Sequence, residues 1–576
     1  LASPTHANLP IGAAVTIAVI AGSLVGLVNG VLTVYGRIPS IVATLGTMSV
    51  LRGLTEVILG GTWITDLPPS LRRLGTDSFL GLSLLTWTAL VVALAGIALA
   101  RRTRLGINFY AVGDHADSAR FSRINVRATK ILAFVISGGL VGVAVSFAVP
   151  QLSVVESNLD IGLELAAVTA VVVGGVSING GRGTLLGVVL AAVLLGMVRS
   201  VLVFLKLGPA ATYWEQAIHG ACILFAVVGD RGGTHPPASD SHTTHQPNPL
   251  PIASALVAVL VAAWWMVPEF VSPSIQASLL PQIAEVALLA VPMTLVIITG
   301  GIDLSIGSAM ALSAVVAGIM HERGVPASAC VAGAIGTGTL CGALNGLFVT
   351  RARVHPLVAT LATLALFRGI AEGISGGRPI SGFADLWTNL GAAPIAGLPA
   401  VLLPALAAAA LAAVMLGRTT RGLDLYATGM NETAARYAGV PVDRLKSWVY
   451  TLSGAAAGIA ACLFIARRNT AKADIAMGIE LEVITACVLG GVSLAGGRGR
   501  ILSVALGVAL IHEIRQLVAW KWNHDELIQI VLGAALVASA LPGLLRAKQR
   551  RSGRAATARM LHRTKLPLPG QERNSA

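Results

Sequence analysis

The sequence predicts an all-α polytopic membrane protein made of two parallel-repeat helical modules, with about 7 and 10 transmembrane segments. Three observations carry this. Hydrophobic residues make up 55% of the 576, charged residues 12%, and mean hydropathy is +0.78, which is membrane-protein composition. Apolar runs of spanning length, about 17 to 25 residues, recur between short basic clusters. Finally, Gly174-Gly175-Val176-Ser177-Ile178-Asn179-Gly180-Gly181-Arg182-Gly183 returns as Gly490-Gly491-Val492-Ser493-Leu494-Ala495-Gly496-Gly497-Arg498-Gly499, an offset of 498 − 182 = 316. The same offset carries Asn29-Gly30 onto Asn345-Gly346, Ala43-Thr44-Leu45 onto Ala359-Thr360-Leu361, Arg52-Gly53 onto Arg368-Gly369, and Tyr110-Ala111 onto Tyr426-Ala427. A gapless register from 28 to 183 is one module written twice in the same direction.

In the first module, residues 1–229, apolar segments fall near 11–34, 38–60, 82–100, 131–149, 163–178, 185–206 and 213–228. In the second, 252–545, they fall near 252–268, 281–300, 302–321, 326–350, 356–374, 398–417, 447–466, 478–495, 501–519 and 526–543. The seven match the last seven of the ten. The equivalent of Gly300-Gly301-Ile302-Asp303-Leu304-Ser305-Ile306-Gly307 falls upstream of Leu1, so the first module is expected to lack its first three spans. No charged stretch followed by a cleavage site opens the chain, and no removable signal peptide is expected.

Between the modules, 230–251 is rich in Pro, Ser, Thr and His and reads as a flexible cytoplasmic linker. With the amino end of the second module inside, Arg351 and Arg353, the loop 418–446, the Arg498/Arg500 turn and a basic cytoplasmic tail, 546–576, all lie on the cytoplasmic side, as the Lys/Arg bias requires. Only Arg467, Arg468 and Lys472 fall on the other side. The expectation is a multi-pass protein of the plasma (inner) membrane with a cytoplasmic carboxyl terminus. Orientation, with membrane lipid as the surroundings, accounts for the net charge of +14, and nucleic acid is not needed. The five cysteines stand singly in apolar runs, so neither a disulfide framework nor a metal site is expected.

Several stretches invite chemistry. Gly22, Gly26 and Gly30, with Gly138 and Gly142, recur as Gly338, Gly342 and Gly346 with Gly454 and Gly458; this four-residue spacing lets helix backbones approach closely. Asn29 and Asn345 either bond a neighbouring helix or line a polar path. Asp303, a carboxylate in an apolar run, caps the helix after the Gly300-Gly301 break through the amide of Ser305 or Ile306, lines a translocation path, or does both. Ser305, Asn345, Thr360, Asn29 and Thr44 are the other path candidates. Glu164 and Glu480 read as caps of their helices. The two Gly-Gly-Arg-Gly turns suggest phosphate loops, but no G-x-x-x-x-G-K-[ST] occurs, so they read as tight cytoplasmic turns with Arg182 and Arg498 at the interface. His235, His242 and His245 sit in the linker without a supporting shell, and no catalytic constellation stands among the spans. The basic loops 101–130 and 418–446 each hold a short Ala-rich helix, a knob suited to docking.

At that loop, Thr433-Ala434-Ala435-Arg436-Tyr437-Ala438-Gly439 resembles the degenerate coupling helix of ABC importer permeases. With Gly-Gly-Ile-Asp-Leu-Ser-Ile-Gly at 300–307, Val-Ala-Thr-Leu at 358–361 and the turn at 490–499, the chain resembles the ribose/xylose/rhamnose/autoinducer-2 branch, as two permease modules fused in tandem. The resemblance implies a transport subunit that is not itself an enzyme. Cytoplasmic ATPase subunits would dock on the coupling helices and bind the ATP and magnesium, and a periplasmic or lipid-anchored sugar-binding protein would deliver substrate. It places Gly429, Asn431, Ala434, Ala435 and Gly439, with Gly113 and Ala119 of the first copy, in the docking segments. The first copy has His115 for Asn431, Ser118 for Ala434 and Arg123 for Gly439, so its docking is expected to be weaker. A secondary transporter driven by an ion gradient is the alternative, but it favours inverted repeats and several intramembrane carboxylates.

Overall fold

The structure is a computed structural model. It describes residues 10–540 except 66, 157–161, 178–179, 206–209, 230–247, 384–386, 388–393, 396–397 and 523–524. The linker from 230 to 247, with its three histidines, and the tail after 540 therefore lie outside the described residues. The first module holds α1 (Ile11–Val34), α2 (Ser40–Leu59), α3 (Pro69–Thr76), α4 (Leu84–Arg102), α5 (Arg104–Asp114), α6 (Ala116–Phe121), α7 (Val126–Ala148), α8 (Leu163–Val173), α9 (Leu185–Phe204) and α10 (Ala210–Gly229). The second holds α11 (Leu250–Met266), α12 (Pro273–Leu279), α13 (Ala284–Ile298), α14 (Ile306–Glu322), α15 (Ala327–Thr350), α16 (Pro356–Ser375), α17 (Leu403–Arg418), α18 (Thr420–Met430), α19 (Glu432–Tyr437), α20 (Val442–Arg468), α21 (Ile479–Leu489), α22 (Ile501–Trp522) and α23 (Asp525–Ala540). Among the described residues, eleven helical segments are long and apolar enough to cross a membrane. The few strands are two residues long, among them Ile380–Ser381 antiparallel to Thr470–Ala471.

The repeat is a repeat of structure. Adding 316 to the bounds of α1 and α2 gives those of α15 and α16 to the residue. The pair α1/α7 packs as α15/α20 does, and glycines set the approach. A Cβ on Gly22 would collide with the carbonyl of Gly138, and one on Gly338 with that of Gly454; Gly342 likewise meets the Tyr450 carbonyl. With no hydrophobic drive between helices in lipid, such close backbone packing is what holds them.

Two expected spans are corrected. The apolar runs 163–178 and 478–495 form helices of only 11 residues, α8 and α21, about 16 Å long at 1.5 Å per residue. That is near half the ~30 Å hydrocarbon thickness. Each begins at a glycine in the left-handed region, Gly162 (φ 96°) or Gly478 (φ 80°), and stops at the Gly-Gly pair 174–175 or 490–491.

The two modules meet in a pseudo-two-fold manner. α2 packs on α23 and α10 packs on α16, and under the 316 offset these are the same pairing with the modules exchanged. Here too glycine carries the approach: a Cβ on Gly533 would stand 2.5 Å from the carbonyl oxygen of Gly46, and one on Gly220 2.5 Å from that of Ala362. The buried core lies mainly in the second module around α13, where every residue but Ala287 is buried, whereas α4 has no buried residue.

Gly342 and Gly336 separate packing from composition. Gly342→Leu is expected to lower the melting temperature and folded yield, by about 1–3 kcal/mol or more, while Gly336→Leu on the same helix, which faces open space, is expected to leave both near wild type in a detergent thermal-shift assay.

Candidate functional site

Between the modules lies a cavity of about 810 Å³ lined by α2, α8 and α10 of the first and by α13, α14, α16, α20, α21, α22 and α23 of the second. Both half-helices aim their N-termini at it: Gly162, Glu164, Gly478 and Glu480 all line it. Half-helix termini present unpaired amides and the positive end of the helix dipole to a cavity. Glu164 and Glu480 stand in the first turn of their helices, where the sequence places them as caps, and also on the cavity wall.

The chain reaches α21 through an irregular stretch, 472–478, whose backbone must find partners inside the protein. Arg368 supplies them. Its Nη1 donates to the carbonyls of Ala473 and Ile475, the latter at 2.8 Å, and the side chain is 6% exposed. Arg52, its equivalent, lines the same cavity. Two ion pairs flank the site. Arg467 lies 3.1 Å from Glu285 and also donates to the Pro281 carbonyl, and Arg515 lies 3.0 Å from Glu482. Arg467, which the charge bias left on the wrong side, is thus held by a buried carboxylate. Sequence reading assigned roles to none of these six residues. The available signals were the Arg52/Arg368 repeat, the exception at Arg467 and a carboxylate opening the run at 285.

Asp303, Ser305, Asn345 and Thr360 come together, but behind the cavity wall and not on it. Gly300 (φ 82°) ends α13 in the left-handed position that stops a helix. The Asp303 carboxylate accepts from the Ser305 amide (3.1 Å), the Ser305 hydroxyl (2.7 Å) and, across the bundle, the Ser453 hydroxyl (2.7 Å). Asn345 donates to Ser305 Oγ and accepts from Thr363, both at 2.7 Å, and Thr360 donates to the Ile302 carbonyl at 3.1 Å. All are buried. In the first module Thr47 donates to Asn29 at 2.6 Å, repeating Thr363–Asn345, while Thr44, among the described residues, bonds only carbonyls of its own helix.

The coupling candidates form the same device twice. Asn431 caps α19 by accepting from the Ala434 amide (2.9 Å), Ala435 is buried, and Gly439 (φ 86°) turns the chain out. In the first module His115 Nδ1 accepts from the Ser118 amide (3.4 Å), Ala119 is buried, and Arg123 takes the left-handed position (φ 61°) without being glycine. The helix leading into each short helix, α18 or α5, is fastened to a Gly-Gly-Arg-Gly turn. Tyr426 donates to the Gly499 carbonyl (2.7 Å) and Tyr110 to that of Gly183 (3.0 Å). Gly429 packs on Gly497 and Gly113 on Gly181 so closely that a Cβ would clash. The turns close through their backbones, Ser493 to the Arg498 carbonyl (3.1 Å) and Ser177 to that of Arg182 (3.0 Å). In the second module Gly497 also donates to the Ile298 carbonyl (2.8 Å), tying the device to the end of α13.

The two devices differ in charge. Arg436 bridges Glu432 (2.9 Å) and Asp443, and Lys446 bonds Glu432 at 2.5 Å. Burial raises the Glu432 carboxyl, but hydrogen bonds from Lys446 and Arg436 outweigh it and hold the group below its ordinary value. At the equivalent positions the first module has Ala116 for Glu432 and Arg127 for Asp443. There Arg120 pairs with its neighbour Asp117 (2.8 Å) and Arg127 lies over the Tyr35 ring.

Parallel modules around a shared cavity with charged groups in its wall, and matched short helices tied to the cavity-forming elements, define a membrane permease. The chain belongs to the branched-chain amino acid transport system / permease component family, whose model matches residues 4–227 and again 275–540. It is similar to the autoinducer 2 import system permease protein LsrD of Yersinia enterocolitica, 34% identical over 258 residues, which cover 44% of this chain and 78% of that protein. It is also similar to the ribose import permease protein RbsC of Escherichia coli K12, 37% identical over 261 residues, covering 45% and 81%. The LsrD protein of Photorhabdus luminescens is 33% identical over 258 residues, 44% and 78%. None of these relatives supports an ion-driven carrier. No solved structure matches the chain.

Two outcomes check this geometry. Removing one partner of a buried ion pair costs about 3–5 kcal/mol. Glu285→Ala and Arg467→Ala are each expected to destabilise strongly, and the Glu285→Leu/Arg467→Met double variant less than the sum, by chemical denaturation. The Glu432 clamp has a depressed carboxyl, so its contribution is present above the ordinary value of 4.5 and lost as pH falls through the lower folded value. Amide exchange across 432–437, corrected for intrinsic rates, is therefore expected to stay protected from pH 7 to below 4.5, and Glu432→Gln to lose that protection at neutral pH.

Proposed function

We propose that this chain is the transmembrane component of an ATP-binding-cassette importer that moves a monosaccharide or sugar-like small molecule, of the rhamnose, autoinducer-2 or pentose class, across the plasma membrane. The observation that carries the reading is the linkage from each short helix, through the helix before it (α5 or α18) and a Gly-Gly-Arg-Gly turn, toward the cavity, made twice with the same contacts. The tips of the two short helices present matching aromatics, Phe121 and Tyr437, 90% and 89% exposed, and exposed large aromatics are typical docking anchors. Cytoplasmic ATPase subunits, carrying ATP and magnesium, seat on these tips. A binding protein delivers the solute to the opposite mouth. The side bearing α5–α6 and α18–α19 is cytoplasmic, as is the carboxyl terminus. The family and the relatives' import of autoinducer 2 and ribose support this reading, and both modules in one polypeptide supply both walls of a single path.

The purified chain is expected to hydrolyse no ATP alone and to do so with a separate ATPase subunit. Ala435→Glu, or Phe121→Ala with Tyr437→Ala, is expected to abolish uptake in vesicles while leaving membrane insertion intact. Solute uptake driven by an ion gradient without the ATPase would sink the reading.

A further inference from the structure

We propose that Arg368 and Glu480, with their repeat counterparts Arg52 and Glu164, form the subsite that holds the solute in transit, and that it suits a neutral polyhydroxylated ligand. The proposal rests on the import reading above. All four residues line the one cavity and come from equivalent positions, since 52 + 316 = 368 and 164 + 316 = 480. Arg368 is 6% exposed, yet only its Nη1 has an acceptor among the described residues. A buried guanidinium with spare N–H donors calls for a further acceptor. Those donors are also fixed in direction, because the two backbone carbonyls pin the fork.

Glu480 supplies the opposite function. Its carboxylate accepts from backbone amides at the start of α21 but from no side chain among the described residues; it interacts electrostatically with Arg368 and sits against Gly307, where a Cβ would stand 2.8 Å from Oε2. Around the whole wall five arginines, Arg52, Arg368, Arg467, Arg468 and Arg515, face four glutamates, Glu164, Glu285, Glu480 and Glu482, so charge of both signs is nearly balanced, and hydroxyls both donate to carboxylate and accept from guanidinium. The half-helix geometry brings the groups in from both modules, so the ligand is held across the pseudo-two-fold and touches both halves that must separate to release it.

The decisive variants are Arg52→Gln and Glu164→Gln, because Arg368 also secures the 473–475 backbone and its loss risks misfolding. The probes are radiolabelled ribose, rhamnose and xylose, taken up by vesicles from cells carrying the complete importer, with permease amount and melting temperature measured alongside. A hydrogen bond to a charged group corresponds to about tenfold or more. Both variants are expected to lower the maximal rate for the transported sugar by at least about tenfold at wild-type permease level, with KM, set at the binding protein, within about twofold, and Glu164→Asp to recover part of the loss. Wild-type rates in both Gln variants overturn the subsite alone. Equal losses in rate, permease amount and melting temperature also overturn it, by showing a structural role. A wild-type importer that takes up none of the three sugars, and no radiolabelled autoinducer 2 either, overturns the import reading and this proposal with it.

Discussion

Inside a bilayer no water is available for backbone amides and carbonyls, so a membrane chain that leaves helical geometry must satisfy every freed group from within the protein. The rest of this structure depends on how the second module meets that requirement at two places. Between α13 and α14 the break is closed by the Asp303 carboxylate, which takes three donors from Ser305 and Ser453. Above α21 the irregular stretch is closed by Arg368 on the carbonyls of Ala473 and Ile475. Without the first, α13 and α14 lose their fixed turn at the core. Without the second, α21 has no anchored start, and the cavity loses one wall.

These breaks also explain why charge is found so deep in an apolar protein. Several of the carboxylates and guanidinium groups around the cavity are paired or bonded to backbone, as in Glu285–Arg467, Glu482–Arg515 and Arg368, which is the condition under which burial of charge is tolerated. Glycine plays the complementary part. It permits backbone contact at α1/α7 and α15/α20 within the modules, at Gly46–Gly533 between them, and at Gly429–Gly497 beneath the core. At Gly429 the contact between α18 and the end of α13 is backbone to backbone, with no flexible side chain between them.

Much of this was legible in the sequence. The 316 offset predicted two modules with matching helices, the four-residue glycine spacing predicted the close pairs, and Gly300-Gly301 predicted a broken helix; Asp303 takes the expected bond from the Ser305 amide, while the N-cap position itself falls to Ser305. Hydropathy misjudged 163–178 and 478–495, because an apolar half-helix followed by an apolar turn reads as one span; only the backbone shows that Gly174-Gly175 and Gly490-Gly491 end the helices early. The cavity was not legible, since its polar residues come one at a time from ten helices of two modules, and no local period links Arg52, Glu285, Arg467 and Glu482. Asp303 drew attention because it stands alone in sequence, and in space it faces partners instead of the cavity.

The modules are alike in fold and unlike in charge: the second clamps its short helix with Glu432, Asp443 and Lys446, and the first does not. What unites them is the claim that one polypeptide closes a single path by packing α2 on α23 and α10 on α16. Ser49 donates to the Gln529 carbonyl across that seam at 3.0 Å, so a cysteine pair at 49 and 529, in a chain whose own cysteines are replaced and whose linker between 230 and 251 carries a protease site, tests it directly. After oxidation and cleavage, the account expects the halves to remain joined in one band of single-chain mass that separates on reduction. Two separate half-size bands, or a cross-linked dimer of whole chains, would contradict it.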